Sequence, residues 1–297
     1  KLTAWGANAE AVTATAAFTV HSADDPALDP EPDGVIVETE LPERRLLVLG
    51  DAAPTAARGG ELVVSALISE CTHGAEVAGR ESLEWDAVVI AACAEYAGSS
   101  TLQSQLRAAG GERDAVSAVM LSVGAAEIGL AEAISDCLDR RCDTGDAAYQ
   151  AVLRVAQELD LTDHLTATWA AVNGVGERAR SGQAAAPILV SPYPLLFPED
   201  RGLQCTASIG PEQTVAANLL VRQLNASIAA SVDRARDLGV EAYYLAATET
   251  ALQGSASLCG DDPGVDVAAL EGSSAAPAIV LTESGGRRIA RGIAAWS

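Results

Sequence analysis

The sequence predicts an α/β fold: a three-layer α/β/α sandwich around a central, mostly parallel five-stranded sheet, with a short N-terminal β extension. Three observations carry this. From Arg44 onward, short apolar runs alternate with amphipathic helical segments, the pattern of a parallel sheet covered on both faces. Residues 1–40 lack that alternation. Two of the apolar runs, "LLVLGDA" and "LSVGAAEIG", pass straight into glycine-containing loops, at the strand ends where ligands bind in parallel α/β sheets.

Along the chain, "AVTATAAFTVHS" alternates like a strand, "ADDPALDPEPDG" is a loop rich in Pro and Asp, and "VIVETEL" is a second short strand. Residues 1–40 are therefore either a β-hairpin or a connector from a preceding domain, and residues 41–297 form the main domain. Strands are expected at 45–49, 87–91, 118–122, 188–190 and 241–246. Helices are expected at 99–109, 129–137, 147–159, 165–181 and 213–237. The last two carry apolar residues at three- and four-residue spacing, and "VAANLLVRQLNASIAASVDRARDL" runs into Gly239 as its stop.

Charge removes some function classes. The chain carries 19 basic and 41 acidic residues, a net charge of −22. A field of that sign repels nucleic acid and anionic headgroups. It either keeps a secreted protein soluble or offers an acidic patch to a cationic partner. No apolar run is long enough to span a membrane. The chain has no initiating Met and no basic-then-apolar leader, so we expect a processed or excised ectodomain.

Six cysteines, at 71, 93, 137, 142, 205 and 259, contain no C-x-x-C pair, and three histidines are too few to assemble a zinc site with them. An even count in such a chain points to an oxidising compartment outside the cytoplasm, with buried free thiols as the alternative. No metal and no cofactor is expected.

The blocks then take on a family likeness. "LLVLGDA", "VVIAACAEYAGSSTLQSQL", "AVMLSVGAAEIGLAEAISDC", "APILVSPYPLLFPEDRGLQC" and "LTESGGRRIARGIAAW" stand in the order of the conserved segments of the SGNH (GDSL) hydrolases. The chain resembles the secreted actinobacterial lipase/esterase branch with three disulfides, from about Leu46 to Trp296. The resemblance implies bridges Cys71–Cys93, Cys137–Cys142 and Cys205–Cys259.

The departures bear on function. In that family a serine in the first block is the nucleophile and a C-terminal histidine its base. The oxyanion is held by the serine N–H, a glycine N–H of the second block and an asparagine of the third. The matching positions here are Ala52, Val280, Glu95 and Ala126, and no histidine follows His164. A hydroxyl without a base is a poor nucleophile, and losing one oxyanion donor alone costs about 10²–10³-fold in rate. The resemblance therefore implies a retained fold without the family's chemistry: a binding or scaffolding module at an actinobacterial cell surface, its partner a protein or an envelope glycan or lipid.

The alternative is a rebuilt, carboxylate-based hydrolase or transferase acting on an ester or glycan. Asp51, Glu95 and Glu127 all fall near the old pocket and could supply acid/base chemistry, or Asp51 caps a turn while the two glutamates are solvated at the rim. Tyr96 and Tyr193, at strand ends, line the cleft or pack beside it. His21 lies in the extension, His73 in a loop and His164 at a helix start. Ser99, Ser100 and Thr101 cap a helix. The sequon at Asn225 sits inside a helix and carries no glycan.

Overall fold

The computed structural model describes residues 2–5, 11–14, 45–50, 53–56, 62–68, 78–80, 87–90, 105–107, 116–140, 144–173, 185–199, 209–265 and 279–294. By its contacts the chain divides into residues 1–42 with 296–297, and residues 43–295. In the first unit, β1 (Leu2–Trp5) and β2 (Ala11–Ala14) form an antiparallel pair, with Leu2 opposite Ala14. The partner of the Ala11 strand is thus Leu2–Trp5; "VIVETEL" lies outside the described residues.

The second unit is built on a six-stranded sheet, one strand more than expected. Its strands are β3 (Arg45–Gly50), β6 (Ala78–Arg80), β7 (Ala87–Ile90), β8 (Ala118–Ser122), β9 (Ile188–Val190) and β10 (Ala242–Tyr244). Their order is β10-β9-β8-β3-β7-β6. Five pair in parallel, and β6 joins β7 antiparallel at the edge. At the centre, Leu46, Leu47, Val48 and Leu49 of β3 are all 0% exposed. A strand buried on both faces needs such a continuous apolar run, and each of these side chains contributes about 1.5–3 kcal/mol through its burial.

A second sheet was not anticipated. β4 (Ala53–Ala56), β5 (Leu62–Ile68) and β11 (Ile279–Val280) form a three-stranded antiparallel sheet with β5 in the middle.

Among the described residues six α-helices accompany the sheets: α1 (Leu130–Arg140), α2 (Ala147–Glu158), α3 (Leu161–Val172), α4 (Pro211–Asp237), the single turn α5 (Ala246–Glu249) and α6 (Glu283–Ala294). Residues 105–107 are also helical. Several expected bounds change, the following among them. The helix expected at 165–181 begins at Leu161 and stops at Val172, because Asp160 turns the chain in the left-handed region and Asn173 leaves helical geometry at ψ 130°. His164 consequently lies within the first turn of α3. The strand expected at 241–246 ends at Tyr244, and Ala246 already belongs to α5.

The long helix α4 follows its signals closely. Pro211 occupies its first turn, where a missing N–H costs nothing, and the Gly210 N–H donates to Gln213 Oε1 at 2.7 Å. Arg234 and Arg236 sit at its negative end, and Gly239 takes the left-handed stop at φ +85°. α4 contacts α1, α2, α3 and β10. It is joined to α3 by the buried Trp169, whose Nε1 donates to Ser231 Oγ at 2.8 Å. α6 lies against β5 and α5, with Ile289, Ala290 and Ile293 buried.

Candidate binding cleft at the carboxyl end of the sheet

The carboxyl ends of β3, β8 and β9 converge, and each is fixed by specific contacts. β3 ends at Gly50 with φ +92°, a conformation that disfavours any side chain. A Cβ there would meet Ser122 O at 2.1 Å, so glycine allows β3 and β8 to approach. Gln105 then clamps this end: its Oε1 accepts from Gly50 N at 2.8 Å and its Nε2 donates to Gly50 O at 3.4 Å. Gln105 is buried.

After β8 the chain passes Gly124, at φ +123°, into a turn over residues 125–129. That turn is closed by Gly129 N to Ala126 O at 3.2 Å and Leu130 N to Ala125 O at 2.9 Å, which starts α1. Its position is set from β9's side, because the Ala125 N–H donates to Tyr193 Oη at 3.3 Å. Tyr193 is itself gripped by Asn225 of α4, whose Oδ1 accepts from Tyr193 N at 3.0 Å and whose Nδ2 donates to Tyr193 O at 2.7 Å. Two turns earlier on the same face of α4, Asn218 does the same for Phe197, at 3.2 and 2.8 Å. Gln253 Nε2 adds bonds to Leu195 O and Phe197 O, both at 3.0 Å. Side-chain amides on a helix thus take the part of a neighbouring strand for residues 191–197, all of them buried. With its amide held this way and buried, Asn225 is no glycosylation acceptor.

Glu127 is the exception in this well-bonded region. Its Oε2 is buried without a hydrogen-bond partner. Burial pushes its pKa up to about 7, while the backbone N–H groups of Glu127 and Gly124 act in the opposite direction. A carboxyl in this state can give or accept a proton near neutrality, and such groups concentrate at functional sites.

The structure therefore brings Ala126, Glu127 and Tyr193 together at the ends of β8 and β9. Asp51, Ala52, Glu95 and Tyr96 lie outside the described residues, as do His21, His73, Ser99, Ser100 and Thr101. Val280 is placed in β11, paired with Ala66 of β5, and the chain beyond it serves packing. Thr282 Oγ1 accepts from Gly285 N at 3.2 Å, which caps α6, and donates to Pro263 O at 2.9 Å. Ser284 Oγ donates to Asp262 Oδ1 at 3.1 Å. A Cβ on Gly285 would meet Gly264 O at 2.0 Å, so two backbones touch there.

Among the described residues, no group of His, Cys, Asp and Glu is arranged to hold a metal ion. Neither Cys137 nor Cys259 is a free thiol; Cys71, Cys93, Cys142 and Cys205 lie outside the described residues. No helix of the described residues is long and apolar enough to cross a membrane.

The residues missed in the sequence are the clamps: Gln105, Asn218, Asn225 and Thr282. The two asparagines could have been found by their seven-residue spacing within an otherwise apolar helix face.

No family model matches the chain, and no curated protein matches it in sequence. Solved structures do. An extracellular lipase from Streptomyces rimosus aligns with a TM-score of 0.56 at 16% identity, covering 86% of this chain and 100% of the lipase. A phospholipase A1 from Streptomyces albidoflavus NA297 aligns with a TM-score of 0.52 at 18% identity, covering 84% of this chain and 98% of the phospholipase. At these identities the likeness concerns the fold alone: the chain shares the α/β fold of these two Streptomyces enzymes.

Proposed function

We propose that this chain is a non-catalytic SGNH-hydrolase-like domain that works outside the cytoplasm, as a binding or scaffolding module at an actinobacterial cell surface. The observation that carries the reading is the contrast at the end of β8. The framework is intact there, with Ala125 N bonded to Tyr193 Oη, yet Ala126 occupies the position of the family's oxyanion asparagine. The same chain has Ala52 at the nucleophile position and no histidine after His164. A fold that keeps the scaffold and drops nucleophile, base and side-chain donor together is suited to hold a ligand and not to turn it over.

Likeness to an extracellular lipase accords with this location; a three-layer arrangement with bridges Cys71–Cys93, Cys137–Cys142 and Cys205–Cys259 is part of the proposal. The partner is a protein or an envelope glycan or lipid; a net charge of −22 argues against nucleic acid.

One observation favours a second reading. Glu127, with its pKa raised to about 7, suits a general acid or base, and with Asp51 and Glu95 would form a carboxylate-based site for an ester or glycan. The test is turnover of short- and long-chain nitrophenyl esters and acetylated oligosaccharides, wild type against Glu127→Gln. We expect no turnover above the uncatalysed rate in either protein. Turnover that Glu127→Gln abolishes would establish the rebuilt enzyme instead.

A further inference from the structure

We propose that a cavity between α2, the start of α3 and the middle of α4 binds a neutral saccharide unit. The cavity has a volume of about 510 Å³, within the range of small-ligand sites. Its polar wall comes from Gln157 of α2, Asp160 at the corner, Thr162 of α3 and Gln223 of α4, and its apolar wall includes Leu153 and Leu161. No lysine, arginine or histidine lines it.

Gln157, Asp160 and Gln223 are solvent-exposed and Thr162 is half-buried, and none of these side chains bonds to another described residue. Apart from the helical ladder, Gln157, Thr162 and Gln223 use only their backbone carbonyls, which accept from Asp160 N, Thr166 Oγ1 and Ser227 Oγ. Asp160 is more telling. It is the one non-glycine residue with positive φ among the described residues, at φ 42° and ψ 62°. Glycine or asparagine occupies such a helix-ending position at lower cost. An aspartate that starts the next helix normally recovers stability by accepting from its first N–H groups, but Asp160 makes no such bond. The carboxylate is thus held at the cavity's edge in a strained backbone with no local compensation, a pattern associated with ligand sites.

The chemistry matches sugar hydroxyls, which donate and accept at once. Two primary amides do both, and a carboxylate accepts from two neighbouring hydroxyls. The C–H face of a pyranose ring would lie on Leu153, which is half-buried, while Leu161 is buried beneath the corner. An anionic ligand finds no cation here and meets Asp160. The inference is independent of the reading of the Glu127 cleft.

The test uses saturation-transfer NMR and calorimetry with glucose, galactose, mannose and N-acetylglucosamine, and glucuronate as the anionic control. We expect at least one neutral sugar to bind and glucuronate not to. Asp160→Gly should weaken binding about tenfold or more while leaving Tm unchanged or higher, since glycine relieves the left-handed strain. Gln223→Ala should weaken it too, and Glu127→Gln should leave it unchanged. Absence of binding by every neutral sugar, binding indifferent to both Asp160→Gly and Gln223→Ala, or equal binding of glucuronate would overturn the proposal.

Discussion

Two neighbouring parts of the cleft treat buried polarity in opposite ways. Around Tyr193 and Phe197, the backbone N–H and C=O are both met by the amides of Asn225 and Asn218. One turn of chain away, Glu127 keeps a buried oxygen with no partner. The first arrangement stabilises the fold; the second costs stability, because the loss of water around the carboxylate outweighs the help of the Glu127 and Gly124 backbone N–H groups. Stability alone would exchange Glu127 for an apolar residue or a bonded amide. Its presence beside the bonded segment 191–197 makes the turn after β8 the part of this region where buried polarity is least satisfied.

The hardest way to break the framework is at Gly50. Adding a methyl group places Cβ 2.1 Å from Ser122 O in a backbone at φ +92°, so strain and steric overlap combine. Gly50→Ala should destabilise by about 3–5 kcal/mol, read as a lowered urea midpoint or loss of soluble protein. A wild-type midpoint would mean that the β3–β8 approach does not hold the cleft.

Glu127 sharpens the other side through pH. Its folded pKa, about 7, lies above the ordinary value of 4.5, so between those values the native state binds the extra proton. Stability from this group is fully present below about pH 4.5 and is lost as pH rises through about 7. The loss is on the order of 3 kcal/mol. Glu127→Gln should therefore raise Tm more at about pH 8 than at about pH 4.5. Equal gains at the two pH values would mean that Glu127 ionises as freely as in the unfolded chain.

Asn225 tests how much the strand-like clamp contributes. Asn225→Ala removes both bonds to Tyr193 and should destabilise by about 2–3 kcal/mol. Asn225→Asp keeps the size but cannot donate to Tyr193 O above its pKa, so it should fall at least as far at neutral pH. Were Asn225→Asp as stable as wild type by urea denaturation, the amide clamp would carry no weight.

How these parts stood in the sequence follows from their physics. Strands β3, β8 and β9 were readable because a strand buried on both faces must be an unbroken apolar run. Edge strand β6 is "AGR" and β4 is "APTA"; neither has a period, and only pairing makes them strands. β5, "LVVSALI", has the composition of a strand but breaks the strand-then-helix rhythm. Glu127 and Tyr193 stood out because they follow or flank strand ends. Asn218 and Asn225 did not stand out as clamps: their seven-residue spacing on an apolar face is a signal, but their role depends on the extended segment 191–197 lying beside them. Asp160 was hidden for a similar reason: left-handed backbone leaves no mark on an aspartate.

The smallest effect belongs to the C-terminal block, where the family's base would have stood. Thr282 both caps α6 through Gly285 N and ties Pro263 O to it, so the segment after Val280 is used for folding. Thr282→Ala should cost about 1–2 kcal/mol, the range for losing a threonine cap, measured by thermal unfolding. Thr282→Ser, which keeps the oxygen, should recover most of it. If instead Thr282→Ala left stability intact but altered ligand binding in the Glu127 cleft, the block would still serve the site, and the contrast between a structural C-terminal block and a functional turn after β8 would fail.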